Sequence, residues 1–173
     1  MLSRWMPDVV YPSVHHLPWK TLSETYNTLI FDADNTLGPW QLEKLDTAAL
    51  TLLKHLSDQG FSIGVLSNSR MLRRKDVIEA QLRQINIPLI TNGKKPALSG
   101  YLEMMRLLNA TPKQTIMIGD QWITDIIGAK RVGLKAIMVK PFSLKSEAWW
   151  ARWRRGIEWL IFKVFYRPSE DKN

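Results

Sequence analysis

The chain has 173 residues, 45% hydrophobic and 23% charged, and its 24 Lys and Arg outnumber 16 Asp and Glu, for a net charge of +8 and a pI near 9.8. That is one domain's worth of chain with enough apolar matter for a core, which excludes a disordered polymer, and the basic excess points to an anionic partner: nucleic acid, lipid headgroups or a phosphorylated substrate. The absence of cysteine excludes disulfides, thiolate metal sites and cysteine nucleophiles.

Residues 1–26 hold three prolines, the pair His15-His16 and no clear period, and read as an irregular arm. Pro7, Asp8 and Pro12 interrupt any apolar core of a signal peptide, and no run reaches the ~18 apolar residues of a spanning helix, so an intracellular protein is expected. The histidine pair has no further histidine or cysteine cluster near it and reads as structural rather than as a metal site.

From residue 27 strands alternate with helices. Asn27 to Phe31 is a strand-forming run, and Leu45, Ala49, Leu52 and Leu56 recur at helical spacing before Gly60, which stands where a C-cap glycine belongs. Phe61 to Leu66 gives a second strand, Val77, Ile78, Leu82 and Ile85 a second helix, and Ile87 to Ile90 a weaker third strand with Pro88 in it. Leu98, Leu102, Met105 and Leu108 define another helix, followed by a strand over 115–118, a short helix over 124–131 and a fifth strand over 135–139. Such alternation predicts an α/β, doubly wound, parallel five-stranded sheet with helices on both faces. Sheets of this kind bind ligands outside the carboxyl ends of their strands.

The residues at those ends are polar and ordered. The first strand ends in Asp32-Ala33-Asp34-Asn35-Thr36. Two carboxylates one residue apart repel unless a cation such as Mg²⁺ lies between them, and one can attack phosphorus while the other moves protons. The alternative is an Asp-rich turn feeding a helix. Ser67-Asn68-Ser69 after the second strand can hold phosphoryl oxygens, or simply cap a helix. Gly93-Lys94-Lys95-Pro96 can neutralise clustered charge, or be an ordinary basic loop. Gly119 permits close backbone approach, Asp120 can complete a metal site and Asp125 lies just inside the next helix, where the helix dipole alone would favour an acid. Each signal is modest; the ordered set is the one a phosphoryl-transfer site requires.

With these residues in place, the chain resembles the haloacid dehalogenase superfamily phosphatases over residues 27–140, through Asp32-x-Asp34-x-Thr36, Ser67, Lys95 and Gly119-Asp120 with Asp125. The strings Phe31 to Leu37, Lys94-Lys95-Pro96 and Gly119-Asp120-Gln121 are similar to the YqeG-type, phosphatidylglycerophosphatase branch of subfamily IIIA. The resemblance implies that Asp32 is the nucleophile that becomes an aspartyl phosphate and Asp34 the general acid and then base. It also implies that Asp32, Asp34 (through its backbone carbonyl) and Asp120 hold Mg²⁺. Thr36 supports the turn, Ser67 and Asn68 lie on the phosphoryl-binding side, and Lys95 pairs with nucleophile and phosphate, with Asp125 and Lys94 in support. Lys94 stands beside Lys95 as the other candidate for the motif lysine; the proline context favours Lys95. An Asp at position 34 separates a phosphatase from the superfamily's dehalogenases and ATPases.

Neither inter-motif segment leaves room for a cap domain, so the substrate is expected to be large or presented on a surface. Residues 141–173 form the last unit, and within them 145–167 hold four of the eight tryptophans. Trp149, Trp153, Ile157, Leu160 and Val164 share one helical face, with Arg152, Arg154 and Arg155 mostly elsewhere. Such a helix suits an anionic bilayer interface, or else packs on the domain or a second subunit. The expected function is therefore dephosphorylation of phosphatidylglycerophosphate at the cytoplasmic side of a membrane, with a phospholipid and an anionic membrane surface as partners. The alternatives are a phosphatase acting on a nucleic-acid end, a phosphoprotein or a soluble phosphoester, and a non-enzymatic nucleic-acid or ribosome-associated binding module, against which the intact acid pair argues.

Overall fold

A computed structural model describes residues 2–41, 43–69 and 74–143; the tryptophan-rich segment lies outside the described residues. The strands are β1 (Val9–Tyr11), β2 (Thr28–Phe31), β3 (Ser62–Leu66), β4 (Leu89–Ile90), β5 (Thr115–Gly119) and β6 (Lys135–Val139). The helices are α1 (Trp19–Ser23), α2 (Thr47–Asp58), α3 (Lys75–Arg83), α4 (Leu98–Leu107) and α5 (Gly128–Arg131). The strands form one sheet in the order β1-β6-β5-β2-β3-β4, with every pairing parallel.

The sheet has six strands, not the five expected. The extra one is β1, drawn from the segment read as an irregular arm: Val9, Val10 and Tyr11 pair with Ile137, Met138 and Val139. The Asp8 carboxylate secures this edge by accepting from the Ala136 amide at 2.8 Å and the Lys130 ammonium at 2.5 Å.

Alternation along β2 sends side chains to opposite faces. Leu29 and Phe31 pack with Leu53, Leu56, Ile78 and Leu82 on one side, while Ile30 packs with Leu66, Tyr101, Met104 and Met117 on the other. Helix α2 starts where the Asp46 side chain accepts from the Ala49 amide at 2.8 Å. It stops where Gly60 turns left-handed (φ 93°), letting the Phe61 amide reach back to the Leu56 carbonyl at 3.2 Å. The described residues between β2 and β3, and between β3 and β4, contain one α-helix each and no cap domain.

Chain direction across the sheet reverses at β2. From there it runs outward through β3 and β4, then returns to β5 on the other flank. That switch point opens a crevice at the carboxyl ends of β2, β3 and β5.

Candidate active site

Parallel register brings the motif residues to one level. Phe31 pairs with both Val65 and Ile118, so Asp32 emerges beside Leu66 and Gly119, with Ser67 and Asp120 one step further along their own strands. All three polar residues are buried.

The centre of the site is a buried bridge. Lys95 Nζ donates to Asp32 Oδ1 at 2.6 Å and to Asp125 Oδ1 at 2.7 Å. Asp125 is held in turn by the Gln121 amide, which donates to its Oδ2 at 2.9 Å. Gly119 is required here, because a Cβ in its place would run into the Asp125 carboxylate. Burial pushes the Asp32 carboxyl up to about 7 despite the opposing charge of Lys95, with Asp125 and Asp34 adding to the rise. For Lys95, burial acts to discharge the ammonium, but the charges of Asp125 and then Asp32 outweigh it and hold the lysine protonated above its ordinary range.

Asp32, Asp120 and Asp125 can each offer an oxygen within 4.8 Å of the others. Three buried carboxylates against one ammonium leave excess negative charge, and an all-oxygen donor set suits a hard divalent cation. The residues present therefore fit a metal of that class. Asp34 is not part of this side-chain cluster: its carboxylate faces Arg74, whose Nη1 approaches Oδ1 at 3.3 Å.

The lysine of the site is Lys95, since Lys94 is exposed. Asn68 holds the backbone of Lys95. Its Nδ2 donates to the Lys95 carbonyl at 2.8 Å, and its Oδ1 accepts from the Lys95 amide at 2.7 Å. The residue expected on the phosphoryl-binding side thus clamps the backbone of the lysine. Ser67 Oγ accepts from the Ser69 amide at 3.1 Å, which leaves its hydroxyl hydrogen for a phosphoryl oxygen. Thr36 is buried, and its hydroxyl makes no hydrogen bond to a described residue; its amide approaches the Ala33 carbonyl at 3.4 Å in the turn that follows Asp32.

Residues 122–127 form a π-helical turn ahead of α5, where a plain α-helix was expected from 124. Its anchor is Tyr101, whose hydroxyl donates to the Thr124 carbonyl at 2.6 Å. Burial holds that phenol protonated, well above its ordinary range. At Gly128 an added Cβ would lie 2.6 Å from this hydroxyl, so glycine admits the tyrosine. Nothing in the sequence marks Tyr101 out: on α4 it reads as one more apolar-face residue.

Fold, register and buried lysine bridge together define a hydrolase of the haloacid dehalogenase type. The family model for haloacid dehalogenase-like hydrolases matches residues 41–139, and the chain belongs to that family. Among known proteins it is 26% identical to "Probable phosphatase YqeG" of Bacillus subtilis (strain 168), covering 95% of this chain and 94% of that one. It is 29% identical to the chloroplastic phosphatidylglycerophosphate phosphatase 1 of Chlamydomonas reinhardtii, covering 92% of this chain and 64% of that protein. The corresponding Arabidopsis thaliana protein is 25% identical, with 95% of this chain and 49% of that protein covered. The chain thus spans about half to two thirds of those two longer relatives. Among solved structures, a haloacid dehalogenase-like hydrolase from Brucella suis 1330 shares the fold, with TM-score 0.52 and 13% identity over 70% of this chain and 91% of that one. These relatives place the chain among the family's phosphatases.

Proposed function

We propose that the chain is a Mg²⁺-dependent phosphomonoesterase that works through an aspartyl phosphate on Asp32 and takes phosphatidylglycerophosphate as its substrate. The observation that carries the reading is the buried Asp32–Lys95–Asp125 bridge at the switch point of the sheet. In the first step an Asp32 oxygen bonds to phosphorus as the bond to the leaving alkoxide breaks, and Asp34 gives that alkoxide its proton. In the second, Asp34 takes a proton from water, whose oxygen attacks phosphorus and returns Asp32 as carboxylate. Lys95 offsets the charge gathered on the transferring group, and Ser67 donates to one of its oxygens. Asp32 and Asp120, with the Asp34 carbonyl and Asp125 in support, would hold Mg²⁺, which supplies charge neutralisation around the phosphoryl group.

The substrate assignment is supported by the names of the algal and plant relatives and by the uncapped crevice, which suits a phosphate presented at a surface. No helix among the described residues is long and apolar enough to cross a membrane. The approach to lipid is assigned to the segment 145–167 for its arginines and tryptophans, acting from the cytoplasmic side. Phosphate release from phosphatidylglycerophosphate in mixed vesicles tests the reading. Wild type should need Mg²⁺, and Asp32→Asn should lose nearly all turnover, because the amide preserves shape while removing the nucleophile. Wild-type release by that variant would defeat the assigned chemistry.

A further inference from the structure

Arg74 stands at the N-cap of α3, facing β2 across the mouth of the crevice. Its Nη2 donates to Ser69 Oγ at 2.9 Å, while its two contacts with Asp34 are longer, at 3.3 Å from Nη1 to Oδ1 and 3.5 Å from Nη2 to Oδ2. Both side chains are 13% exposed, so the pair lies at the rim rather than in the core. A guanidinium–carboxylate pair at its optimum is shorter, about 2.7–2.9 Å. Among the described contacts, Arg74 thus meets Ser69 Oγ more closely than it meets the Asp34 carboxylate.

In the proposed reaction Asp34 serves the leaving oxygen rather than Arg74. To protonate the leaving oxygen its carboxyl has to turn toward the crevice, withdrawing two oxygens from a planar fork of donors. The group best shaped to take their place is another anion with two equivalent oxygens. The part of the substrate next to Asp34 is the leaving alcohol, so that anion has to be carried on the leaving alcohol itself.

We propose that Arg74 is a subsite for a phosphodiester borne by the leaving alcohol, exchanging Asp34 for it as the substrate enters. The subsite would select phosphomonoesters with a second, diester phosphate a few bonds away and release the acid for catalysis in the same motion. This rests on the proposed reading of Asp34 and names what that site recognises: the headgroup's own diester, not its acyl chains.

The test compares the full chain and its Arg74→Lys and Arg74→Ala variants, with Mg²⁺, on three substrates: deacylated glycerophosphoglycerol phosphate, its short-chain diacyl form, and p-nitrophenyl phosphate. Wild type should prefer both diester-bearing compounds. Arg74→Ala should lose about tenfold to a hundredfold in kcat/KM on them, chiefly through KM, and distinctly less on the aryl phosphate. Arg74→Lys, which keeps charge without the fork, should fall between. In wild type alone, glycerophosphoglycerol, which has the diester and no monoester, should compete with the aryl phosphate, so the inference does not depend on a variant that folds. Absence of that inhibition, equal losses of Arg74→Ala on all three substrates, or a preference confined to the acylated compound would each overturn it. A wild type that cleaves all three without preference removes only this subsite, whereas one that releases phosphate from none removes the proposed function.

Discussion

Replacing Lys95 with Met keeps most of the side chain's volume and removes the charge together with its two hydrogen bonds. Its ammonium lies 2.6 Å from Asp32 and 2.7 Å from Asp125, with all three groups nearly closed to solvent. Removing one partner from a buried ionic cluster leaves charge that water cannot reach, at a cost of about 3–5 kcal/mol. That is a large share of the roughly 5–15 kcal/mol by which a domain is stable, and corresponds to a drop in Tm of about 6–20 °C for a chain of this size. The loss has a sign in pH. Without Lys95 the Asp32 carboxyl loses the cation that favours its ionised form, so its folded-state pKa rises further above about 7. Well below pH 7 the folded protein holds the Asp32 proton with or without Lys95, so this part of the loss is absent there. As pH rises through about 7 the wild-type carboxyl ionises while the variant's resists, so the deficit grows at and above that value. Urea unfolding at pH 4.5 and pH 8, with and without Mg²⁺, measures this directly. Mg²⁺ should recover part of the loss at pH 8. A deficit equal at both pH values, or below about 1 kcal/mol at pH 8, would refute the electrostatic account of the bridge.

Mg²⁺ should raise the Tm of the wild type more at pH 8 than at pH 5. The Asp32 carboxyl is pushed up to about 7 by burial, so protons compete with the cation below that value and affinity should climb about tenfold per pH unit before levelling off; a pH-independent shift in Tm would contradict this. Tyr101→Phe should cost about 1–3 kcal/mol of stability, since it strands the buried Thr124 carbonyl that the phenol satisfies. Chemical denaturation checks the magnitude, and a loss under a few tenths would mean that the π-helical turn relaxes without it.

The sheet was legible because its central strands are buried on both faces and read as apolar runs, each ending in a polar residue at the level where β2, β3 and β5 align. Strand β1 was not, because Val9-Val10-Tyr11 is only three residues long and stands among prolines. Its place is decided by the Asp8 carboxylate reaching the Ala136 amide, a contact 128 positions away in sequence. Asp32, Ser67 and Asp120 could be picked out because each directly follows a strand, and Lys95 and Asp125 because they stand in the segments after β4 and β5. The partners of Asn68 and Asp34 could not. Asn68 looks like a ligand for phosphate in sequence because it follows a serine at a strand end, yet its amide matches the spacing of the Lys95 backbone N–H and C=O and is used there. The π-helical turn escaped for a similar reason: it is set by Tyr101 from α4 and by the Asp125 carboxylate folding back on the Gln121 amide, neither of which leaves a mark on local periodicity.

These contacts divide the site into two mechanical parts. The segments after β3 and β4 are laced together by the Gly93 amide donating to the Ser67 carbonyl at 2.9 Å and the Asn92 amide donating to the Ser69 carbonyl at 3.0 Å. The Asn68 clamp on Lys95 continues the same lacing. Ser67 and Lys95, the two groups assigned to bear the charge of the transferring phosphoryl group, are thereby held as one unit, and Asp125 locks that unit to the far side of β2 through the lysine. Charge stabilisation demands this rigidity, because donors that must reorganise during transfer lose much of their effect. The acid–base carboxyl has the opposite requirement: it must serve a leaving oxygen in one step and a water in the next. Asp34 lies outside that set of contacts, and its carboxylate meets Arg74 at 3.3 Å. On the proposed mechanism the groups that must stay still are the laced ones, and the carboxyl that must turn is held apart from them at Arg74.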